Sequence, residues 1–263
     1  MLVSALLMLV VLLAISVPIA AVMGVLGLAL NQFYSSMPLY RAMGEILWNS
    51  NSEYILIAIP LFVMLGEILL RSGIAERVYN AIAQWLSWLP GGLMHANIGT
   101  CAMFAATSGS SVATAATVGL VALPQIEQRK YDERLFLGTL AAGGTLGILV
   151  PPSINFILYG LLTNTSVPRL YLAGMVPGII LASLFMLYVL VKCLITPSQG
   201  GLKLQTTWRK RLYSLKDLVA PLFIFLVVVG SIYAGWATPT EAASLGVLAA
   251  LLLAAWERRL SLA

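Results

Sequence analysis

Long stretches almost free of charge dominate this chain: residues 2–30, 54–70, 170–190, 218–234 and 242–256 each approach or exceed the roughly 20 apolar residues that cross a bilayer. Sixty per cent of the 263 residues are hydrophobic and 10% are charged, with a mean hydropathy of +0.95. A soluble domain cannot hide that much apolar surface, so the expected fold is an all-α multispanning membrane protein, bedded in lipid bilayer. Residues 2–30 lack a basic leading segment and a small-residue cleavage site. Their run also far exceeds the roughly 7–15 residues of a signal-peptide core, which predicts a single uncleaved span.

The net charge is +5. The basic residues fall in three groups: Arg129, Lys130 and Arg134; Lys203, Arg209, Lys210, Arg211 and Lys216; and Arg258 and Arg259. Basic residues between spans report orientation, so all three groups are expected in the cytoplasm, and nucleic acid is not an expected partner. Counting spans backward from the last group puts "GWATPTEAAS" outside and residues 127–134 inside. Two helix starts are written locally. Thr238-Pro239-Thr240-Glu241 has capping-box spacing with proline at the first helical position, and Asp132 with Glu133 opens the helix after the first basic group. Cys101 and Cys193 sit in apolar segments without metal-ligand or paired spacing, as buried thiols do. Glu67 and Arg71, four apart on one helix, are expected to pair with each other.

Residues 74–89 change pattern. Glu76, Asn80, Gln84 and Ser87 share one helical face, while Ile74, Val78, Ile82, Trp85 and Leu89 share the other. This predicts an amphipathic helix lying at the membrane interface, with Trp85 and Trp88 at headgroup level and Arg71 and Arg77 on its cytoplasmic flank; a helix seated on a partner has the same pattern.

The hydroxyl-rich stretch "TSGSSVATAAT", residues 107–117, interrupts an apolar segment whose halves, 94–106 and 112–123, are each too short to span. They fit a re-entrant helical hairpin. The next span is interrupted as well: "AAGGTLGILVPPSINF" sets Gly143, Gly144 and Gly147 ahead of Pro151 and Pro152. The prolines remove two donors, so residues 144–152 are expected to unwind and free backbone carbonyls. Freed backbone is tolerated at membrane depth only against protein or a watery cavity. A tip of Ser108, Gly109, Ser110 and Ser111 facing that stretch would present neutral oxygens, which suit a monovalent cation, Na⁺ above all, since divalent ions usually need carboxylates. Small residues also let helices pack closely, so close packing alone is the competing account. Hydrolytic chemistry has little to stand on, because His95 is the one histidine and no GxSxG surrounds Ser110.

At these residues the chain resembles the large, DctM-like membrane subunit of tripartite ATP-independent periplasmic (TRAP) transporters. The matching stretches are "IPLFVMLGEILLRSGIAERV", "GSSVATAATVG", "AAGGTLGILVPPSINFILYG", "LAGMVPGIIL" and "TPTEAAS", in family order across nearly the whole chain. The resemblance implies no enzyme but a Na⁺-driven, elevator-type secondary transporter in the bacterial inner membrane. Such a transporter imports organic acids such as C4-dicarboxylates or sialic acid, delivered by a periplasmic substrate-binding protein and aided by a small four-helix membrane subunit. Carried over, the first sodium site falls on Ser108, Ser110 and Ser111 of the tip and on Gly147, Leu149 and Pro152, while Ser111, Ser153 and Asn155 fall on the substrate side. It also implies scaffold spans with the interfacial helix over residues 1–90, transport elements over 91–165, and scaffold spans over 166–263 leading into a second, inverted repeat not present here. This chain would then be the N-terminal part, holding half of a site. A structural or assembly subunit whose interrupted helices merely pack is the other reading.

Overall fold

The computed structural model describes residues 2–35, 39–202, 204 and 206–256. Lys203, Arg258 and Arg259 of the basic groups lie outside the described residues. The chain forms two compact units, Met1–Glu53 and Tyr54–Ala263.

The first unit holds α1 (Leu2–Ala14), α2 (Ile19–Tyr34) and α3 (Leu39–Asn51). The single span expected over residues 2–30 is therefore two helices. Pro18 has no N–H to give the carbonyl of Ala14, Ser16 turns the chain at φ 59°, and the chain folds back until Ser4 Oγ and Tyr34 Oη stand 2.8 Å apart. Twenty-nine residues in one helix would run about 44 Å, well beyond the roughly 30 Å hydrocarbon layer.

The second unit begins with a 3₁₀ turn (Tyr54–Ile57) leading into α4 (Ala58–Arg71), then α5 (Ile74–Leu86), α6 (Leu93–Ser108), α7 (Ser111–Ala122) and the short α8 (Pro124–Arg129). It continues through α9 (Glu133–Leu149), α10 (Ile154–Thr163) and α11 (Val167–Ile195), and, after a 3₁₀ turn, α12 (Trp208–Ser214). Helix α13 (Lys216–Phe225) passes through a π turn into α14 (Ser231–Tyr233), and α15 (Pro239–Trp256) follows. Among the described residues, four helical segments are long and apolar enough to cross a membrane: Tyr54–Arg71, Val167–Ile195, Trp208–Tyr233 and Pro239–Trp256. A fifth is formed if α9 and α10, bent by 40° at their junction, make one broken span.

The local helix signals act as written. Asp132 Oδ1 accepts the Leu135 N–H at 2.8 Å. Thr238 N–H and its hydroxyl both donate to Glu241 Oε2 at 2.8 Å, closing the capping box. Arg71 Nε meets Glu67 Oε1 at 2.6 Å, and both cysteines are free and buried.

Helix α5 differs from expectation. Ile74, Val78 and Ile82 are buried in protein, against α6 and α13, so the apolar stripe meets helices instead of lipid. Ser87, expected on the polar face, is buried past the helix end and donates to Gln84 O. Trp85 is held by Arg211 O at 3.1 Å, while Trp88 is exposed.

Candidate functional site

Helices α6 and α7 form a hairpin lying on α9. Asn97 meets Thr139, a Cβ on Gly143 would touch Cys101, and one on Gly147 would touch Ser110 and Ser111, so α6 and α9 rise together in register. Ala115 of α7 lies at Gly144, nearer the start of α9, so α7 descends. Both hairpin ends return to the basic loops: the Leu93 N–H donates to the Tyr131 phenol at 2.9 Å, beyond the end of α8. Burial pushes the Tyr131 phenol above its ordinary value, against the smaller opposing effect of that N–H. The ring therefore stays neutral and serves as a pin.

At the tip, Gly109 adopts φ 62°, the left-handed turn that ends α6. Ser110 is extended and caps α7, its Oγ accepting the Ala113 N–H at 3.4 Å. The Ser108 hydroxyl turns inward. It donates to Phe104 O at 3.0 Å and lies 3.1 Å from Thr114 Oγ1, tying the hairpin legs together.

The break in α9 is shorter than expected. Helix persists to Leu149, and the non-helical residues run only from Val150 to Ser153, across a cis Pro151–Pro152 bond. Gly143, Gly144 and Gly147 stay helical, and their missing side chains make room for the hairpin instead of unwinding the backbone. A Cβ would stand 3.0 Å from Cys101 at Gly143, 2.7 Å from Ala115 at Gly144, and 2.8 Å from Ser110 O and Ser111 N at Gly147. These positions recur at helical spacing on one face.

Pro151 and Pro152 have no N–H for the carbonyls of Gly147 and Ile148. The buried Ser153 hydroxyl answers Ile148 O at 2.6 Å. Gly147 O has no donor among the described residues. The main chain then closes on the tip: Ile154 N–H donates to Gly109 O at 3.2 Å, and a Cβ on Gly109 would lie 2.8 Å from Pro152 O. Ser110, Ser111, Gly147 and Pro152 are thus brought together. Ser108 backs them with its hydroxyl spent inside the hairpin, and Ser153 braces the break. Leu149 O stands against Gly174 of α11, where a Cβ would be 2.7 Å away, and Asn155 is exposed on the first turn of α10. Ser153→Ala is expected to leave Ile148 O unanswered and lower stability by about 1–3 kcal/mol, read as a drop in the thermal midpoint of the purified protein.

The convergence has an electrostatic consequence. The carbonyl ends of α6 and α9 and the N–H ends of α7 and α10 meet around the tip and the break. Carbonyl ends favour a cation and N–H ends an anion. No Asp, Glu, Lys or Arg occurs in residues 93–123 or 135–163, and no group of three or more His, Cys, Asp or Glu gathers anywhere among the described residues. The oxygens offered are therefore neutral.

Residues outside the sequence reading support this arrangement. Tyr79 Oη donates to Asn97 Oδ1 at 3.1 Å, Asn97 Nδ2 to Thr139 Oγ1 at 2.9 Å, and Thr139 to Phe136 O at 2.7 Å, linking α5, α6 and α9 through buried groups. A Cβ on Gly66 of α4 would lie 2.9 Å from Ser108 Cβ. The signal for Asn97 was its isolation in an apolar helix, since an amide there needs partners. His95 is held by Pro90 O at 2.8 Å at the start of α6. Thirteen residues of α6, about 20 Å, carry the chain from it to Ser108 at the hairpin tip, so His95 and Ser110 form no catalytic pair.

Apolar helices long enough to cross a bilayer, around an interrupted helix and a hairpin docked tip to break, define an all-α membrane protein. The family model for the tripartite ATP-independent periplasmic transporter, DctM component, matches residues 6–263, and the chain belongs to that family. It is 32% identical over 243 residues to the C4-dicarboxylate TRAP transporter large permease protein DctM of Vibrio cholerae, covering 91% of this chain and 52% of that protein. It is 34% identical over 204 residues to the sialic acid TRAP transporter large permease protein SiaM of Vibrio cholerae (76% and 47%). It is 31% identical over 200 residues to the ectoine TRAP transporter large permease protein TeaC of Halomonas elongata (75% and 46%). The chain spans about half the length of these curated relatives.

Proposed function

We propose that the chain forms part of a large permease subunit that couples Na⁺ entry to the uptake of organic acids across the bacterial inner membrane. The observation that carries this reading is the docking of the 108–111 tip on Gly147 and the 150–153 break, with Gly147 O without a donor among the described residues. In this reading Na⁺ is cargo, dressed by Gly147 O, Pro152 O and hydroxyls of Ser110 and Ser111. The N–H ends of α7 and α10, with Ser111, Ser153 and Asn155 nearby, take an anionic head group. Residues 91–165 move as one body against the flanking spans, and the other half of the site comes from protein outside this chain. A periplasmic binding protein delivers the acid, and a small membrane subunit completes the complex. C4-dicarboxylates and sialic acid, the substrates in the names of two relatives, are the first acids to try.

The test is calorimetric titration of the purified permease with NaCl against KCl at constant ionic strength. A saturable heat with Na⁺ alone is expected, weakened by Ser110→Ala. Equal heats for the two salts would remove the ion assignment and leave a packing role for the interrupted helices.

A further inference from the structure

A second feature of the larger unit stands apart from the tip and the break. An open groove of about 840 Å³ runs between α9 and α11. Its walls are apolar, formed by Ala142 on one side and Leu181, Leu184 and Phe185 on the other. From Leu181 to Lys192 the groove follows eleven residues of α11, about 16 Å, close to the roughly 15 Å depth of one leaflet.

One end of the groove is different. Arg134 and Lys192 both line it there, and neither is ion-paired among the described residues. Asp132 shares this rim, but its carboxylate is engaged by the Leu135 N–H at the start of α9. Gln199 Oε1, also at the rim, is buried and has no donor. The rim lies where the Asp132 N–H reaches Gln199 O and the Leu202 N–H reaches Arg129 O, beside the basic group that marks the cytoplasmic face.

We infer that this groove is a binding site for one anionic diacyl phospholipid of the cytoplasmic leaflet. An acyl chain lies along the α11 wall at leaflet depth. The phosphate sits between Arg134 and Lys192, and a headgroup hydroxyl donates to Gln199 Oε1. An acyl chain alone would leave both cations and the orphan acceptor unanswered, whereas a phosphatidylglycerol headgroup supplies an anion and a donor together.

The experiment is native mass spectrometry of the purified permease after incubation with phosphatidylglycerol or phosphatidylcholine of identical acyl chains. One tightly retained phosphatidylglycerol is expected, preferred at least tenfold over phosphatidylcholine. Arg134→Gln and Lys192→Gln should each reduce retention roughly fivefold. Gly138→Leu provides a second arm. A Cβ at Gly138 meets nothing within 4 Å, so leucine enters the groove without a clash at its first atom and should exclude the lipid while both cations remain. Circular dichroism melts check that each variant is folded. Equal retention of the two lipids, retention indifferent to all three substitutions, displacement of the lipid by millimolar inorganic phosphate, or no retained lipid in the unaltered permease would each overturn the site. Because the readout involves neither sodium nor transport, it stands or falls separately from the ion assignment.

Discussion

Replacing Gly147 with alanine is expected to weaken sodium binding at least tenfold, about 1.4 kcal/mol, in the same titration that shows a saturable heat for the unaltered protein. Alanine is the better helix former, so by local propensity this change should stabilise α9 by as much as about 1 kcal/mol. The contact decides otherwise. The added Cβ would stand 2.8 Å from Ser110 C, Ser110 O and Ser111 N, and these are backbone atoms that no rotamer change can move aside. Either the tip lifts or α9 shifts, and such overpacking typically costs about 1–3 kcal/mol. Gly138→Ala in the same helix is the matched control, since its Cβ meets nothing within 4 Å. It should leave sodium binding unchanged and raise the melting midpoint slightly. Sodium affinity that survives Gly147→Ala would mean that contact between tip and break is no part of an ion site.

The second large effect is expected at Asn97. Truncation to alanine leaves the Tyr79 hydroxyl without its acceptor inside the protein and opens a small cavity between α5, α6 and α9. Interhelical hydrogen bonds in membranes are worth roughly 0.6 kcal/mol on average, because the unfolded chain in lipid also finds partners. A buried group left unsatisfied adds about 1–3 kcal/mol, so a total near 2 kcal/mol is the expected loss. Adding Tyr79→Phe to Asn97→Ala removes the orphaned hydroxyl and should recover part of it. A double-mutant cycle on reversible unfolding in mixed micelles measures that coupling. Strict additivity of the two changes would show that the Tyr79–Asn97 bond does not hold α5 to the hairpin.

Sequence was informative where structure is made locally. The Asp132 and Thr238–Glu241 caps need residues only three positions apart, and they form as written. The interruption after Leu149 follows from two consecutive imino acids, and the hairpin from two half-length helices around a polar turn. The role of the three glycines was not legible, because unwinding and close approach require the same residue and only the neighbouring helix chooses between them. The direction of the Ser108 hydroxyl was equally hidden. It depends on Phe104 O, one turn back, and on Thr114 across the hairpin. A stripe of apolar residues likewise cannot say what covers it, which is why the pattern of α5 suits a membrane interface or a partner helix equally and the stripe lies against protein. In the first unit, the length of the apolar run hid a reversal at Ser16 to Pro18.

The bond from the Ile154 amide to the Gly109 carbonyl joins the two interrupted segments by atoms every amino acid carries. Apart from Gly109 and Gly147, where any Cβ would meet backbone across the seam, side chains on either border can therefore be exchanged without removing this bond. Proline at position 154 would delete the donor itself. The seam is thus fixed by main chain and by two glycines, and the remaining side chains around it are free to vary in chemistry.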